Sequence, residues 1–200
     1  FPHIGITGTN NNDLESEKIQ LNGVIFKNVT KDYSNWRATE TLDQWLTSKK
    51  VIGITDLNTR KLTVKVRERG ALRAAIISNS KKNIIYSEVI EKLKNWNGIV
   101  NNDLASKVST TKPYIYTSSK RKITKNNLRV IAIDYGCKKN ILELLNSSGF
   151  EVIVVPCNYS FDKIMQYKPL GIFLSNGPGD PFATANYALK TIKKLINIKI

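Results

Sequence analysis

The sequence has few of the residues that build metal sites, disulfides and Cys–His catalytic pairs. Its 200 residues include one histidine, His3, and two cysteines, Cys137 and Cys157. The cysteines form no Cys-x-x-Cys pair and no Cys/His spacing typical of a metal site, so we expect no bound metal. Two isolated thiols are typical of a reduced, cytosolic protein.

Long apolar runs are missing as well. No run approaches the roughly 20 apolar residues that a membrane-spanning helix needs. The first residues lack a basic stretch followed by an apolar block, so we expect no signal peptide in this sequence. The sequence opens at Phe1 rather than at methionine and closes on an apolar alternation, Asn197 to Ile200. We interpret both ends as truncations, with processing of a precursor as the alternative for the first.

Acidic residues are scarce relative to basic ones. The sequence has 31 lysines and arginines against 16 aspartates and glutamates, a formal net charge of +15. Such an excess favours nucleic-acid binding when it is concentrated on one face. Here the charge is spread along the chain, and the densest run, 120–125, lies among serines and asparagines typical of a solvated linker. Compositional drift explains the charge better, and a basic nucleic-acid-binding or scaffold module is the alternative. Binding with a steep salt dependence would distinguish that alternative.

The first half of the sequence predicts a mixed α/β module. Apolar residues at helical spacing predict helices over 39–50, 59–69 and 86–96, and Gly70 suits the end of the second helix. Short apolar runs predict strands, which we place at 24–26, 51–55 and 74–77. Residues 97–128 lack strong periodicity. We therefore predict a first domain over 1–110, a linker over 111–127 and a second domain over 128–200.

The second half alternates between continuous apolar strands and amphipathic helices. We predict strands at 130–133, 152–155 and 172–174, with a fourth beginning at Ile198 and Ile200. We predict helices over 138–148, 161–167 and 183–196. This alternation predicts a parallel sheet with right-handed crossovers. Ligands bind such sheets at the carboxyl ends of the strands.

Two loops follow strands at that edge, 134–140 and 174–181. In the second, Gly177 and Gly179 flank Pro178. Glycines beside a proline let the backbone turn sharply and bring N–H groups to the surface. Such groups can bind a carboxylate or stabilise a developing oxyanion. An ordinary turn is the alternative interpretation of the same residues.

The sequence resembles a known family along most of its length. GIFLSNGPGDP (171–181) resembles the glycine loop of class I glutamine amidotransferases. IAIDYGCKKNIL (131–142) and, in the first half, FPHIGITGTN (1–10), SNWRATETLDQWL (34–46) and TDLNTRKLTVKVRERGAL (55–72) resemble the carbamoyl-phosphate synthetase small subunit. Another class I amidotransferase, serving anthranilate or nucleotide synthesis, is an alternative that the first half disfavours.

The resemblance implies an α/β fold with two parts. These are an N-terminal module specific to that small subunit and the front half of a flavodoxin-like, parallel-sheet amidotransferase domain. It implies hydrolysis of the glutamine side-chain amide by a cysteine with a His–Glu pair. Ammonia would pass to a large subunit that uses ATP and Mg, for arginine and pyrimidine synthesis. No cofactor is implied in this chain.

The resemblance assigns few site residues to this sequence. Gly177 would contact the glutamine backbone, Gly179 would donate its N–H to the oxyanion, and Lys138 would lie near the site unless it is a solvated residue at a helix start. The nucleophile, in a Gly-x-Cys-x-Gly motif, and the His–Glu pair would lie beyond Ile200, and a glutamine-binding serine would precede Phe1. We therefore expect these 200 residues alone to be inactive.

The remaining candidates have simpler structural interpretations. We expect structural roles for Cys137, Cys157 and His3. Arg60 and Arg67 would be either solvated or pressed against the large subunit. The tryptophans, Trp36, Trp45 and Trp96, are interpreted as anchors of a core or of a domain interface.

Overall fold

The computed structural model describes residues 3–77, 84–118 and 128–198. The chain forms two compact units, Phe1–Gly98 and Ile99–Ile200. Among the described residues, no helix is both long enough and apolar enough to cross a membrane.

The first unit combines short parallel strands with three helices. Its strands are β1 (His3–Ile4), β2 (Gly23–Ile25), β3 (Asn28–Val29) and β4 (Ile52–Ile54), and its helices are α1 (Leu42–Ser48), α2 (Thr59–Arg69) and α3 (Tyr86–Asn95). A single turn of 3-10 helix covers Asn11–Asp13. β1 pairs with β3 and β2 pairs with β4, both in parallel.

Local capping explains where the first two helices begin. Thr41 Oγ1 accepts a hydrogen bond from the Gln44 N–H at 3.2 Å, and Gln44 Oε1 accepts one from the Thr41 N–H at 3.0 Å. This reciprocal pair is a capping box. Asn58 Oδ1 caps α2 through the Lys61 N–H at 3.0 Å, and Gly70 ends that helix with a φ of 74°. The predicted helices, including the one over 86–96, are confirmed.

The structure contradicts one predicted strand of the first unit and a core position for two of the tryptophans. Residues 74–77 form no strand with any described residue; their apolar character serves packing, because Ile76 lies against Gly23 of β2. Trp36 is not a core residue, since 91% of its surface is exposed, and Trp96 is exposed as well. Phe26 and Leu46 are the buried hydrophobic residues described in this unit.

The second unit is a four-stranded sheet with helices on both faces. Its strands are β5 (Tyr114–Tyr116), β6 (Arg129–Asp134), β7 (Glu151–Pro156) and β8 (Gly171–Leu174), and its helices are α4 (Ala105–Val108), α5 (Lys139–Ser147), α6 (Phe161–Met165) and α7 (Pro181–Ile196). The strand order is β5-β7-β6-β8. β6 is parallel to both its neighbours, whereas β5 is antiparallel to β7. In chain order the parallel strands are arranged 2-1-3, as in flavodoxin-like folds.

The core consists of two apolar layers, one on each face of the sheet. On one face, Ile131, Ile133 and Ile153 pack with Ile164 of α6 and Leu195 of α7. On the other, Ala132, Val152 and Val154 pack with Leu142 of α5. Because alternate residues of each strand are buried on opposite faces, the strands form continuous apolar runs in the sequence.

The edge strand β5 falls inside the predicted linker, 111–127. Its side chains Tyr114 and Ile115 are exposed, so burial left little periodic signal, and the strand is held by its backbone pairing with β7. The compact units divide after Gly98 rather than near residue 110, and 119–127 lie outside the described residues. Of the predicted fourth strand, Ile198 lies in a bend after α7, and residues 199–200 lie outside the described residues.

Buried polar contacts fix the segment after β5 to α5. Asn146, which is fully buried, accepts a hydrogen bond from the Ser118 N–H at 2.8 Å and donates one to the Phe150 carbonyl at 2.9 Å. Glu143 accepts from the Tyr116 hydroxyl at 2.9 Å. These contacts satisfy backbone groups that an apolar side chain would leave without partners.

Replacing Asn146 with alanine should destabilise the second unit. Two buried backbone groups lose their partners, and at roughly 1–3 kcal/mol for each we expect a loss of about 2–5 kcal/mol in unfolding free energy. Urea unfolding monitored by circular dichroism measures it. Leu144→Ala, on the same helix at a side chain that is 58% exposed, is the control and should change stability by no more than about 0.5 kcal/mol. Equal effects of the two variants would contradict the prediction.

Candidate functional site

The candidate site lies where the direction of strand addition reverses. From β6 the chain passes through α5 to β7 on one side, and then through α6 to β8 on the other side of β6. Loops that leave the carboxyl ends of two such strands diverge to opposite faces and open a crevice, which is where ligands bind in this class of sheet. The two predicted loops, 134–140 and 174–181, leave β6 and β8 at this point.

The two loops are bonded to each other through Ser175. The Ser175 N–H donates to the Ile133 carbonyl at 3.2 Å. Its hydroxyl accepts from the Tyr135 N–H at 2.8 Å and donates to the Asn176 carbonyl at 2.8 Å. This one side chain therefore fixes the end of β6 relative to the start of the glycine loop. Ser175 and Tyr135 are site residues that we did not predict, because neither stands out by residue type.

Gly177 is required by the closeness of the two loops. A Cβ atom there would lie 2.2 Å from the Tyr135 carbonyl oxygen and 2.9 Å from Tyr135 Cβ. Across the same contact, a Cβ on Gly136 would lie 2.9 Å from Pro178 Cδ, and Gly136 has a φ of 120°. Only glycine allows the loops to pass at this distance.

Gly179 is required for a different reason. Its φ of 91° is one that residues with side chains rarely adopt. A Cβ there would also lie 3.0 Å from the Asn102 carbonyl oxygen and 3.1 Å from the Leu104 nitrogen. The backbone that packs on Gly179 thus comes from residues that we predicted to belong to the first domain.

The amides of both glycines have no acceptor in the part of the chain that the structure describes. Among the residues that the structure describes, neither the Gly177 N–H nor the Gly179 N–H donates to an internal acceptor. Both glycines border a cavity of about 280 Å³. Its other lining residues include Tyr135 and Ser175, and its wall on the α7 side is formed by Thr184, Ala185, Ala188, Leu189 and Ile192. Burial raises the pKa of Tyr135 to about 12, so its phenol is neutral at this cavity.

The first loop is closed by Asp134. Its Oδ1 accepts from the Gly136 N–H at 2.9 Å and from the Cys137 N–H at 2.8 Å. Its Oδ2 accepts from the Thr110 N–H at 2.7 Å. Because this one carboxylate satisfies three backbone amides, Asp134 organises the loop.

Neither cysteine has the environment of a nucleophile. Burial, with the nearby charge of Asp134, raises the pKa of Cys137 to about 11, so the thiol is protonated at neutral pH. Cys157 is buried, and its N–H donates to the Ser109 hydroxyl at 2.9 Å. Reactive cysteines have lowered pKa values and accessible sulfur atoms. The structural interpretation of both residues therefore agrees with their surroundings.

The other candidate residues belong to both units and are described unit by unit. Lys138 is exposed and directly precedes α5 at the edge of the sheet that carries the site. Arg60 and Arg67 are exposed on α2 of the first unit, where Arg60 lines a shallow depression with Lys27. The His3 side chain lies outside what the structure describes. In the described residues, no group of three or more histidine, cysteine, aspartate or glutamate side chains could hold a metal ion.

Two models of known protein families match parts of this chain. Residues 1–76 match the family model described as carbamoyl-phosphate synthase small chain, CPSase domain, and residues 131–200 match glutamine amidotransferase class-I. The chain belongs to the carbamoyl-phosphate synthase small-chain family. The match over residues 1–76 favours the small chain over other class I amidotransferases, which confirms the resemblance seen in the sequence.

Similar small chains come from bacteria and from a plant. The carbamoyl phosphate synthase small chain of Bartonella henselae is 41% identical, over 100% of this chain and 53% of the relative. That of Zymomonas mobilis is 39% identical over 100% and 56%, and the chloroplastic small chain of Oryza sativa is 39% identical over 98% and 44%. The chain thus spans about half the length of the curated small chains it matches.

The Cys137 thiol should react slowly with alkylating reagents. With a pKa of about 11, Cys137 in the native protein should be alkylated by iodoacetamide roughly 100-fold more slowly at about pH 8 than an ordinary thiol of pKa about 8.5. Mass spectrometry of peptides from timed samples measures the rate, and the urea-unfolded chain is the control. A native rate close to the unfolded rate would show that the thiol is not suppressed.

Proposed function

We propose that this chain contributes the glutamine-binding loop of a glutamine-hydrolysing carbamoyl-phosphate synthase small chain. In this proposal Gly177 contacts the backbone of the bound glutamine and the Gly179 N–H donates to the oxyanion. The observation that supports it most directly is that both amides lack acceptors within the described ranges, 3–77, 84–118 and 128–198, while bordering a cavity at the switch point of the sheet. Family membership supplies the reaction class.

A preorganised Gly179 N–H is the physical basis of this proposal. Hydrolysis of an amide passes through a tetrahedral intermediate whose oxygen carries developing negative charge, and a fixed N–H donor stabilises it; losing one such donor typically costs roughly 10²–10³ in rate. The movement of Gly179 is limited by the backbone of Asn102 and Leu104, which lies beside it. A donor held in this way needs little reorganisation when the charge develops.

The cavity suits a small substrate with an apolar stem and polar ends. Its volume of about 280 Å³ is near the lower end of the roughly 300–1,000 Å³ of small-molecule sites. Pro178, Leu189 and Ile192 present apolar surface, while Ser175 and the two glycines present polar groups. The side chain of glutamine has the same division between methylene groups and an amide.

The wider role follows from the family and belongs to the same proposal. Ammonia released from glutamine would pass to the large subunit, which would bind ATP and Mg to make carbamoyl phosphate for arginine and pyrimidine synthesis in the cytoplasm. Support for these steps comes from the relatives named carbamoyl phosphate synthase small chain. The nucleophile and its His–Glu pair are proposed to lie outside these 200 residues, and no cofactor is proposed for this chain.

Glutamine binding should depend on Gly177. In two-dimensional amide NMR spectra, L-glutamine should shift the resonances of Gly177 and Gly179 as their N–H groups gain acceptors. Gly177→Ala should weaken this response at Gly179 by about tenfold or more in apparent Kd, because an added Cβ cannot coexist with the Tyr135 carbonyl.

The matched control is Gly171→Ala in β8. A Cβ there would meet only Val130 Cγ2, at an ordinary 3.6 Å, so glutamine binding should stay as in the unaltered chain. L-Glutamate added at the same concentration distinguishes recognition of the amide from general anion binding. The proposal is refuted if saturating L-glutamine leaves both glycine amides unmoved in the unaltered chain.

The 200 residues by themselves should not release ammonia from glutamine. Covalent amide hydrolysis needs an activated nucleophile, and Cys137 is protonated while Cys157 is buried. An enzymatic ammonia assay should therefore give the buffer rate. Release of ammonia that disappears in Cys137→Ser or Cys157→Ser would contradict this expectation and assign the nucleophile to the chain itself.

A further inference from the structure

Four residues before α4, 101–104, form a short backbone support for the glycine loop, which we call the strap. The site of a Gly179 Cβ lies 3.0 Å from the Asn102 carbonyl oxygen, 3.0 Å from Leu104 Cβ and 3.1 Å from the Leu104 nitrogen. Two of these three atoms belong to the backbone, so a side chain at position 179 could not be accommodated by turning a flexible side chain. The strap backbone therefore lies directly beside Gly179 and limits its movement in that direction.

A single carboxylate joins the strap to the glycine loop and to α7. Asp180, the residue after Gly179, accepts a hydrogen bond from the Asn101 N–H through Oδ2 at 2.9 Å. Its Oδ1 accepts from the Phe182 N–H at 2.9 Å, which caps α7. The bonds from Asn101 and Phe182 hold the pKa of Asp180 below its ordinary value.

The strap is tied to α7 a second time, further along the helix. The Tyr187 hydroxyl donates to Asp103 Oδ1 at 3.2 Å, and the Ser106 N–H donates to the same oxygen at 3.1 Å. Asn101 has a φ of 58°, a left-handed conformation that costs energy for a residue with a side chain. The bond to Asp180 helps to hold the strap in this conformation.

We propose that Asp180 is a positioning residue of the glutamine site: it anchors the strap against Gly179 and so fixes the direction of the Gly179 N–H. The inference rests on the proposed function for the role of that N–H, but the mechanical part stands on the contacts alone. Asp180 is assigned no contact with glutamine. Its action passes through Asn101 and the strap.

The substitution Asp180→Asn separates the two roles of the carboxylate. Asparagine caps helices about as well as aspartate, so its one acceptor oxygen can still serve Phe182. Its amide nitrogen cannot accept from the Asn101 N–H. We expect hydrogen exchange at the Asn101 amide to rise about tenfold and the Gly179 amide resonance to move, with exchange in the middle of α7 unchanged, because the bond from Asn101 is the one that is lost. The apparent Kd for L-glutamine, read from the Gly177 amide, should rise by a similar factor.

Acid titration gives an independent readout. As pH falls through the lowered pKa of Asp180, protonation should release the Asn101 N–H, and the Gly179 resonance should follow with a midpoint below that of an ordinary aspartate. The pKa of Asp103, on the strap itself, is lowered too, because burial raises it less than the hydrogen bonds from Ser106 and Tyr187 lower it. The part of the Gly179 titration that vanishes in Asp180→Asn therefore belongs to Asp180, and any part that remains belongs to Asp103. A residue that served only the stability of α7 would not produce a pH-dependent shift confined to Gly179 and Asn101.

A control isolates the cause. Asp162→Asn removes the same charge from an exposed position in the first turn of α6 and should leave Gly179 and glutamine binding as in the unaltered chain.

The outcomes distinguish this inference from the proposed function. If the unaltered chain does not respond to L-glutamine, the proposed function fails, while exchange at Asn101 and the resonance of Gly179 still decide the positioning role. A Gly179 resonance that does not move in Asp180→Asn overturns the positioning role whatever the result with glutamine. Exchange that rises along the whole of α7 overturns it too, because the carboxylate would then act as a helix cap alone.

Discussion

The passage of the glycine loop across the end of β6 is the constraint on which the site depends. A side chain at position 177 would place its Cβ 2.2 Å from the Tyr135 carbonyl oxygen, so the two loops can be this close only when glycine stands there. Ser175 then fixes the spacing by bonding to both loops. The crevice at the switch point exists because the parallel strands β6 and β8 are direct neighbours.

Backbone amides at this edge of the sheet fall into two groups. Those of Gly136 and Cys137 are satisfied by Asp134, and those of Asn101 and Phe182 by Asp180. The amides of Gly177 and Gly179 have no acceptor among the described residues. The two aspartates thus stiffen the loops around the glycines, and their negative charges are compensated by the amides they accept from, which limits their repulsion of an anionic group.

Local sequence patterns predicted much of the fold, but few of the contacts that hold the glycine loop in place. Val130 to Ile133 and Val152 to Val155 gave strands because both faces are buried, and the Gly177-Pro178-Gly179 sequence located the loop. Capping by Asp180 could have been read from its place before Pro181, since aspartate followed by proline is typical of a helix start.

The missed features depend on contacts between distant parts of the chain. β5 pairs through its backbone while its side chains are mostly exposed, so its sequence resembles a linker. Asn102 and Leu104 meet Gly179 through backbone atoms, and such a contact places few demands on residue type. Trp36 shows the opposite case: its large aromatic side chain made a core position one of two expectations, yet that side chain is 91% exposed.

The strap lies outside the residues that match the amidotransferase family model. The amidotransferase match begins at residue 131, after the strap and after β5. A protein engineer who trimmed the chain to that match would retain every residue of the glycine loop and discard the backbone that braces it. The shortest segment that would keep this loop in place therefore has to begin at the strap, about thirty residues before the start of the match.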